Sequence, residues 1–382
     1  MTPIDSKPIA ASRRIMIVAA DASRLLQRRE LLLRTLVTAG HQVMVIVAIM
    51  TDDQRDTAKE IGVTIRSMQM SPTGGMLPIA DKAAVTALKA ALIEHAPSAI
   101  VAFGSGPILL TARASGRSPD ARLLAVATHL DQILTKPGLS TRWLTRRALK
   151  PTAAVAVYNT ADARRIASLD LLSADVPIHT LPGAGVDLHR FPQTPLPSLD
   201  NGFIFAMMAT QEASKGIIEF CQAARLVKAK SPSAKFRLAL LPAAGAPELP
   251  LAAMTPYRDC VELHITGADT PSFLQACHVF VYPSAGEGLA HHVLEALATG
   301  RPAITTTAPG CAETIDERVS GILVPPGNVP ELAAAMESFL RRPDLMAWMA
   351  KSARHKAERR FDARVATSEL IRLMQLDGGP SE

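Results

Sequence analysis

The sequence predicts an α/β protein in which two doubly wound domains of parallel sheet face each other across a cleft. The 382 residues suit two domains. Apolar runs of strand length alternate with longer amphipathic runs, which is typical of parallel β-α-β units. A Pro-rich stretch interrupts the alternation over residues 182–200. We therefore predict domains at 1–190 and 191–382, with the last helix packing back on the first domain.

Each apolar run of strand length is assigned to the sheet of its domain. In the first domain, strands are predicted at residues 15–20, 43–48, 63–66, 99–103, 123–127 and 153–158, with helices at 24–39 and 81–95. In the second domain, strands are predicted at 203–209, 236–241, 261–265, 279–282, 301–306 and 322–324, with a helix at 215–229 and helical segments from about 331 to 376. Because such sheets bind ligands at the carboxyl ends of their strands, candidate site residues are sought there.

The composition excludes several classes of protein. With 48% hydrophobic and 20% charged residues, the chain is not an acidic disordered one. No apolar run approaches the roughly 18 residues of a membrane-spanning helix, and the first residues lack the apolar core of a signal peptide. The four cysteines form no C-x-x-C pair, which argues against a disulfide frame and a zinc site. We therefore expect a cytoplasmic protein.

The charge is distributed unevenly between the two halves. Residues 1–190 carry 23 Lys and Arg against 15 Asp and Glu, a balance of +8, whereas residues 191–382 carry 18 against 20, a balance of −2. A basic first half favours an anionic partner such as a membrane surface or a phosphorylated substrate. Nucleic acid is disfavoured, because aromatic residues are only 4% of the chain and few are available for base stacking.

The segment 281–297 has the pattern of a strand, a glycine loop and a helix. The strand ends at Pro283, the loop presents Glu287 and Gly288, and the helix begins near Leu289 and carries Glu295. Such a loop directs backbone N–H groups and the positive end of a helix dipole at a ligand, which suits a diphosphate. A carboxylate at Glu295 could then accept hydrogen bonds from a ribose diol, and one at Glu287 from sugar hydroxyls. The spacing fits equally well two surface glutamates on an ordinary helix.

Glu287 and Glu295 form an E-x7-E pair with distinctive flanks. The flanks are Pro283-Ser284, Leu294-Glu295-Ala296, Gly300-Arg301-Pro302, Pro309-Gly310-Cys311-Ala312-Glu313 and Gly321-Ile322-Leu323-Val324-Pro325. Together they resemble the family 4 retaining glycosyltransferases of the GT-B fold, in particular bacterial members that build lipid-linked oligosaccharides and exopolysaccharides. Lys215-Gly216 and the turn at 181–191 resemble the same family.

The resemblance implies two Rossmann-like domains in a GT-B arrangement and a role for each matched residue. Glu295 would bind the ribose of a nucleoside-diphosphate sugar, and Glu287 would bind the transferred sugar. Lys215 would neutralise the departing diphosphate. The donor would also rest against the backbone of four consecutive residues, Gly288, Leu289, Ala290 and His291.

One position departs from the family pattern. The family places an Arg five residues before the Lys, where this chain has Thr210 in the expected donor site. A threonine carries no charge and makes no bidentate contact with phosphate. Either another basic residue takes that role, or the activity is reduced or absent.

Two features of the first domain are assigned to the reaction. His129 follows the strand at 123–127 and resembles the family's histidine near the reactive carbon of the donor sugar; a loop histidine without a role is the alternative. The family's glycine loop after the first strand is missing. In its place Ser23 and Arg24 begin a helix, where they could meet the acceptor's phosphate or simply cap the helix.

A basic stripe is predicted on a helix near residues 142–150. Arg142, Arg146 and Lys150 share one face of that helix, beside Trp143. Such a face can rest on anionic lipid, and Arg24 could extend it. A solvated basic face packed on a core is the alternative. We expect peripheral contact with the cytoplasmic face of the inner membrane.

His291 and His292 are not assigned to a metal. Adjacent residues point in different directions on a helix, and we identify no carboxylate or cysteine partner for them at ligand spacing. The chain also lacks a D-x-D triplet, which disfavours the metal-dependent alternative fold. We therefore expect no metal and no cofactor.

These observations predict a retaining, metal-independent hexosyltransferase of bacterial surface polysaccharide synthesis. The donor would be a nucleoside-diphosphate sugar, with UDP favoured over GDP, and the acceptor a lipid-linked molecule or a glycan. Two alternatives remain open. One is a catalytically impaired GT-B paralogue that acts as a scaffold or partner of another transferase. The other is a sugar phosphorylase of similar fold, which would carry pyridoxal phosphate.

Overall fold

The computed structural model describes residues 12–68, 81–116, 121–128, 145–147, 149–241, 250–265 and 269–376. It divides into two compact units. Unit 1 comprises Met1–Ala184 and Arg364–Glu382, and unit 2 comprises Gly185–Ala363. The division after residue 184 lies six residues before the end of the predicted first domain. Residues from 185 onward belong to unit 2 because the Val186 N–H donates to the Phe361 carbonyl and the Val186 carbonyl accepts from Ala363.

Unit 1 contains a parallel seven-stranded sheet. Its strands are β1 (Arg14–Ala19), β2 (Gln42–Val47), β3 (Thr64–Ser67), β4 (Ala99–Phe103), β5 (Arg122–Ala127), β6 (Thr152–Val157) and β7 (Ile178–Thr180), in the order β3-β2-β1-β4-β5-β6-β7. The helices between them include α1 (Ala22–Thr38), α2 (Asp52–Ile61), α3 (Lys82–His95), α4 (Ser105–Ser115) and α5 (Thr160–Ser168).

Unit 2 contains a parallel six-stranded sheet. Its strands are β8 (Ile204–Thr210), β9 (Lys235–Leu241), β10 (Val261–Ile265), β11 (Val279–Tyr282), β12 (Ala303–Thr306) and β13 (Gly321–Val324), in the order β10-β9-β8-β11-β12-β13. The α-helices described in this unit are α6 (Ile217–Lys230), α7 (Thr270–Gln275), α8 (His291–Ala298), α9 (Val329–Arg341) and α10 (Pro343–Arg360).

The last helix, α11 (Ala363–Leu373), returns the chain to unit 1. Its side chains Leu370 and Leu373, followed by Met374 and Leu376, join the same buried cluster as strand residues Ile15 and Val45 of the unit 1 sheet. Apolar contact with that sheet therefore completes a core that the first 184 residues leave open.

Burial on both faces explains the continuous apolar strands. All residues of β4, β11 and β12 are buried, as expected for central parallel strands covered by helices on both sides. In each sheet the strand order reverses once, between β1 and β4 in unit 1 and between β8 and β11 in unit 2. Loops leaving such neighbouring strands diverge and open a crevice at their carboxyl ends. Among the described residues, no helix is both long and apolar enough to cross a membrane.

Candidate functional site

The candidate site of unit 2 is built where the strand order of its sheet reverses. Strand β8 ends at Thr210 and its neighbour β11 ends at Tyr282, so the segments that follow both strands leave the same edge of the sheet. The first segment carries Lys215, and the second carries Glu287 and leads into α8. The predicted residues of unit 2 are thus brought to one edge by the topology.

Two glycines permit the close packing of these segments. Gly216 has φ +79°, and a Cβ there would lie 2.2 Å from the Pro283 carbonyl oxygen. Gly310 has φ +75°, and a Cβ there would lie 2.1 Å from the Glu287 carbonyl oxygen. Only glycine adopts both this backbone conformation and this approach without displacement. The turn before α6 and the loop around Gly310 therefore fix the position of the loop that carries Glu287.

Backbone hydrogen bonds hold the same loop. The Glu287 N–H donates to the Pro309 carbonyl at 3.0 Å, and the Ala290 N–H donates to the Gly310 carbonyl at 2.7 Å. The amide of Ala290 is therefore engaged within the protein and not directed at a ligand. Helix α8 begins at His291, two residues after the predicted start at Leu289, whose side chain packs against the core.

Glu287 is the centre of a polar cluster rather than a surface glutamate. Its Oε1 accepts from the Lys215 ammonium at 2.8 Å and from the Tyr282 hydroxyl at 2.9 Å, and the Ser284 Oγ lies 3.0 Å away. The side chains of Lys215 and Glu287 are 16% and 15% exposed. The structure therefore pairs two residues that were assigned to different parts of the donor. The sequence analysis did not assign Tyr282 and Ser284 to the site. Their position at the end of β11 brings both side chains next to Glu287.

A second carboxylate lies beside Lys215. The Thr210 hydroxyl donates to Glu212 Oε1 at 2.8 Å, and Glu212 Oε2 lies 3.9 Å from Lys215 Nζ. At the position where the resembling family has an arginine, this chain has Thr210, whose hydroxyl holds the Glu212 carboxylate near Lys215. Glu212 was not predicted. The sequence could have indicated Glu212, because it lies between the end of a strand and a lysine predicted to bind phosphate.

Glu295 is buried and bound by both adjacent histidines. The residue is 8% exposed; His292 Nδ1 lies 2.8 Å from Oε2, and His291 Nε2 lies 3.4 Å from Oε1. The prediction that these histidines have no carboxylate partner is wrong, because Glu295 follows them by three and four residues on one helix face. Burial works to raise the pKa of Glu295, but the charges and hydrogen bonds of His292 and His291 outweigh it and lower that pKa.

The candidates of unit 1 have more ordinary surroundings where they are described. Asp21 is the N-cap of α1, and its Oδ1 accepts from the backbone N–H groups of Ser23 at 2.8 Å and Arg24 at 3.3 Å. Ser23 is therefore not the cap. The guanidinium of Arg24 also lies 3.5 Å from Asp21.

The predicted basic stripe is only partly described. Arg146 forms an ion pair with Asp170 at 2.7 Å, and Lys150 is exposed. His129 and Arg142 lie outside the described residues, so their assigned roles stay predictions. Within the described ranges, no group of three or more His, Cys, Asp or Glu side chains could hold a metal ion.

The family model that matches this chain matches within unit 2. Residues 202–342 match the model of the family "Glycosyl transferases group 1". A relative named N,N'-diacetylbacillosaminyl-diphospho-undecaprenol alpha-1,3-N-acetylgalactosaminyltransferase, from Campylobacter jejuni, is 29% identical over 178 residues, 46% of this chain and 45% of the relative. The capsular polysaccharide biosynthesis glycosyltransferase CapM of Staphylococcus aureus is 25% identical over 175 residues, 45% of this chain and 46% of the relative. These matches thus span less than half the length of each relative.

Solved structures resemble the whole chain. A glycosyltransferase from Rickettsia africae has a TM-score of 0.78 at 16% identity and covers 97% of this chain and 100% of its own. Anabaena HepE in complex with UDP and glucose has a TM-score of 0.75 at 17% identity, with 95% and 99% covered. At this identity the likeness shows the fold alone. Together with the two parallel sheets, it confirms the predicted GT-B class.

Proposed function

Because residues 202–342 match the model of the glycosyl transferases group 1 family, we propose that the protein is a glycosyltransferase of bacterial surface polysaccharide synthesis. It transfers a hexose from a nucleoside-diphosphate sugar, UDP in preference to GDP, to a lipid-linked or glycan acceptor, with retention of anomeric configuration and without a metal. The names of the Campylobacter jejuni and Staphylococcus aureus relatives support this class of reaction. The complex of HepE with UDP and glucose supports the choice of nucleotide.

The buried carboxylate of Glu295 is the observation that carries the proposal. A glutamate that is 8% exposed and ionised is unfavourable unless it is paired. Here two histidines fix its orientation at the edge of the sheet where strand order reverses. An oriented carboxylate accepts two hydrogen bonds from a vicinal diol, so Glu295 is suited to the ribose of the donor.

The pair formed by Lys215 and Glu287 gives these residues a switchable role. Before the donor binds, each neutralises the other at 2.8 Å. A bound diphosphate attracts the Lys215 ammonium, which then stabilises the charge that develops on the leaving group. Glu287 keeps its hydrogen bond from Tyr282 and is left with acceptor capacity for hydroxyls of the transferred sugar. In this proposal His129 acts at the reactive carbon of the donor sugar, and Ser23 and Arg24 serve the acceptor.

A catalytically impaired paralogue is the second candidate, and one observation favours it. Glu212 and Glu287 both approach Lys215, so two carboxylates surround one ammonium where a diphosphate would bind. Thr210 supplies no charge to offset them. Such a site would bind nucleotide weakly and stabilise the leaving group poorly.

Binding and turnover measurements separate the two candidates. UDP and GDP are titrated calorimetrically into the wild type, Glu295→Gln, and the control Glu262→Gln, which removes an exposed carboxylate of β10. Mass spectrometry then examines products formed from a panel of UDP- and GDP-sugars with bacterial membrane lipids. We expect UDP binding that Glu295→Gln weakens by about tenfold or more, and one glycosylated product. Binding without any product favours the impaired paralogue. If neither nucleotide binds, the proposed donor site is wrong.

A further inference from the structure

A basic groove lies in unit 2 and shares no residue with the candidate donor site. Its cavity volume is about 540 Å³. One wall is helix α10, and the other carries Asp316 and Val319. The residues of α10 that line it are Lys351, Ser352, His355, Lys356, Arg359 and Arg360.

The spacing of the lining residues places them in two rows along one helix face. Lys351, His355 and Arg359 are four residues apart in sequence, and Ser352, Lys356 and Arg360 form the adjacent row. Residues four apart on a helix lie one above the other, so the two rows together present one continuous basic face.

The charge of this groove is poorly compensated. Lys356 is 8% exposed and pairs with Asp316, whose Oδ1 lies 2.6 Å from its Nζ. Within the described residues, no carboxylate lies within ion-pair distance of Lys351, Arg359 or Arg360. The groove therefore holds four permanent cations against one carboxylate.

The composition of the second half of the chain and the helix dipole do not account for this concentration. Residues 351–360 contain five of the 18 Lys and Arg found between residues 191 and 382, a half of the chain whose balance is −2. Cations in the last turn of a helix are favoured by its dipole, which explains Arg359 and Arg360. Lys351 lies more than two turns before the end of α10, beyond the reach of that effect.

We propose that this groove is a second anion site, which takes a phosphate or diphosphate group and is separate from the donor site. Convergent Lys and Arg side chains in excess of protein carboxylates are the usual ligands of phosphate oxygens, and here Lys351, Arg359 and Arg360 exceed the one pair formed by Lys356 and Asp316. The phosphate can belong to a soluble molecule or to the head group of a lipid. Near the groove, Trp348 is 49% exposed one turn before Ser352, and Val319 is 40% exposed on the opposite wall. A lipid-borne phosphate would find apolar contacts there.

Trp348 provides a local reporter of occupancy. The chain has two tryptophans, so Trp143→Phe leaves Trp348 as the single fluorescent indole. In this background, fluorescence is followed during titration with inorganic diphosphate, and separately with phosphatidylcholine vesicles that contain or lack phosphatidylglycerol, at low salt. The test variant is Lys351→Gln/Arg359→Gln, which changes two exposed residues. The control, Lys230→Gln/Arg341→Gln, removes the same charge from two other helices of unit 2.

Saturable binding of either probe supports the proposal if two conditions hold. The affinity falls by about tenfold or more in the test variant, and it stays within about twofold of the starting value in the control. Dependence on inorganic diphosphate assigns a soluble phosphate, and dependence on phosphatidylglycerol alone assigns a lipid head group. The proposal is overturned if neither probe binds, or if test variant and control bind equally. Glu295→Gln should leave groove binding unchanged, so failure of the donor site and failure of the groove remain distinguishable.

Discussion

Replacing Gly310 by alanine tests whether the loop that carries Glu287 is positioned by a close backbone contact. The protein offers a matched control in Gly327. The two glycines have φ values of +75° and +74°, so an alanine is equally strained at both positions, by about 1–2 kcal/mol. They differ in their surroundings. A Cβ at Gly327 meets nothing within 4 Å, whereas a Cβ at Gly310 lies 2.1 Å from the Glu287 carbonyl oxygen and 2.7 Å from that of Gly288.

The size of the effect follows from that overlap. To restore a normal contact, the loop must move by roughly 1 Å, and overpacking of this kind costs about 1–3 kcal/mol. Gly310→Ala should therefore destabilise the protein by that amount beyond Gly327→Ala. The same displacement moves Glu287 away from Lys215 and Ala290 away from its carbonyl partner. A shift of about 1 Å in a binding site is expected to reduce nucleotide affinity by tenfold or more.

Urea unfolding and calorimetric titration with UDP measure the two effects. Gly327→Ala should show the backbone penalty with unchanged UDP affinity, and Gly310→Ala should show the larger loss of both. Equal stability of the two variants, within about 0.5 kcal/mol, together with equal UDP affinity, would refute the positional role of Gly310.

Three further predictions concern single groups. The pKa of Glu295 is lowered below its ordinary value of 4.5. Its ionised form therefore contributes fully to stability above pH 4.5, and this contribution is lost as pH falls through the depressed folded-state pKa. The free energy of unfolding of Glu295→Gln should depend less on pH in this range than that of the wild type. Glu212→Gln should bind UDP roughly threefold to tenfold tighter by calorimetry, since it frees Lys215 from one carboxylate, and an unchanged affinity would contradict that role. Burial raises the pKa of the Cys277 thiol to about 12, and all four cysteines are buried, so a thiol reagent should label them only after unfolding.

The sequence predicts the central strands well, and burial explains why. The ranges 99–103 and 279–282 coincide with the buried central strands β4 and β11. Strands covered on both faces form apolar runs that local sequence displays directly. The edge strand Ile178–Thr180 was missed, because its three residues are half-buried or exposed and show no such run. Helix α2 was also missed, although the capping box of Thr51 and Gln54 marks its start.

The site was predicted by residue type more than by geometry. The E-x7-E pair identified both glutamates, yet the contact of Lys215 with Glu287 joins residues 72 positions apart, and no local pattern shows it. The late start of α8 also depends on a contact between residues distant in sequence, because the Gly310 carbonyl accepts a hydrogen bond from the backbone N–H of Ala290, just before the helix. By contrast, the link between His292 and Glu295 could have been inferred, because a spacing of three residues on a helix brings two side chains together.

The return of α11 to unit 1 has a consequence for the order in which the two units mature during synthesis. Unit 2 is one continuous segment, so its sheet can be completed while the ribosome is still adding residues beyond 363. Unit 1 must wait for Leu370 and Leu373, which emerge after the whole of unit 2 and cover its exposed apolar face. A recombinant fragment of residues 185–363 is therefore the natural piece for isolated study. A fragment that ends at residue 184 would present an open core and a tendency to aggregate.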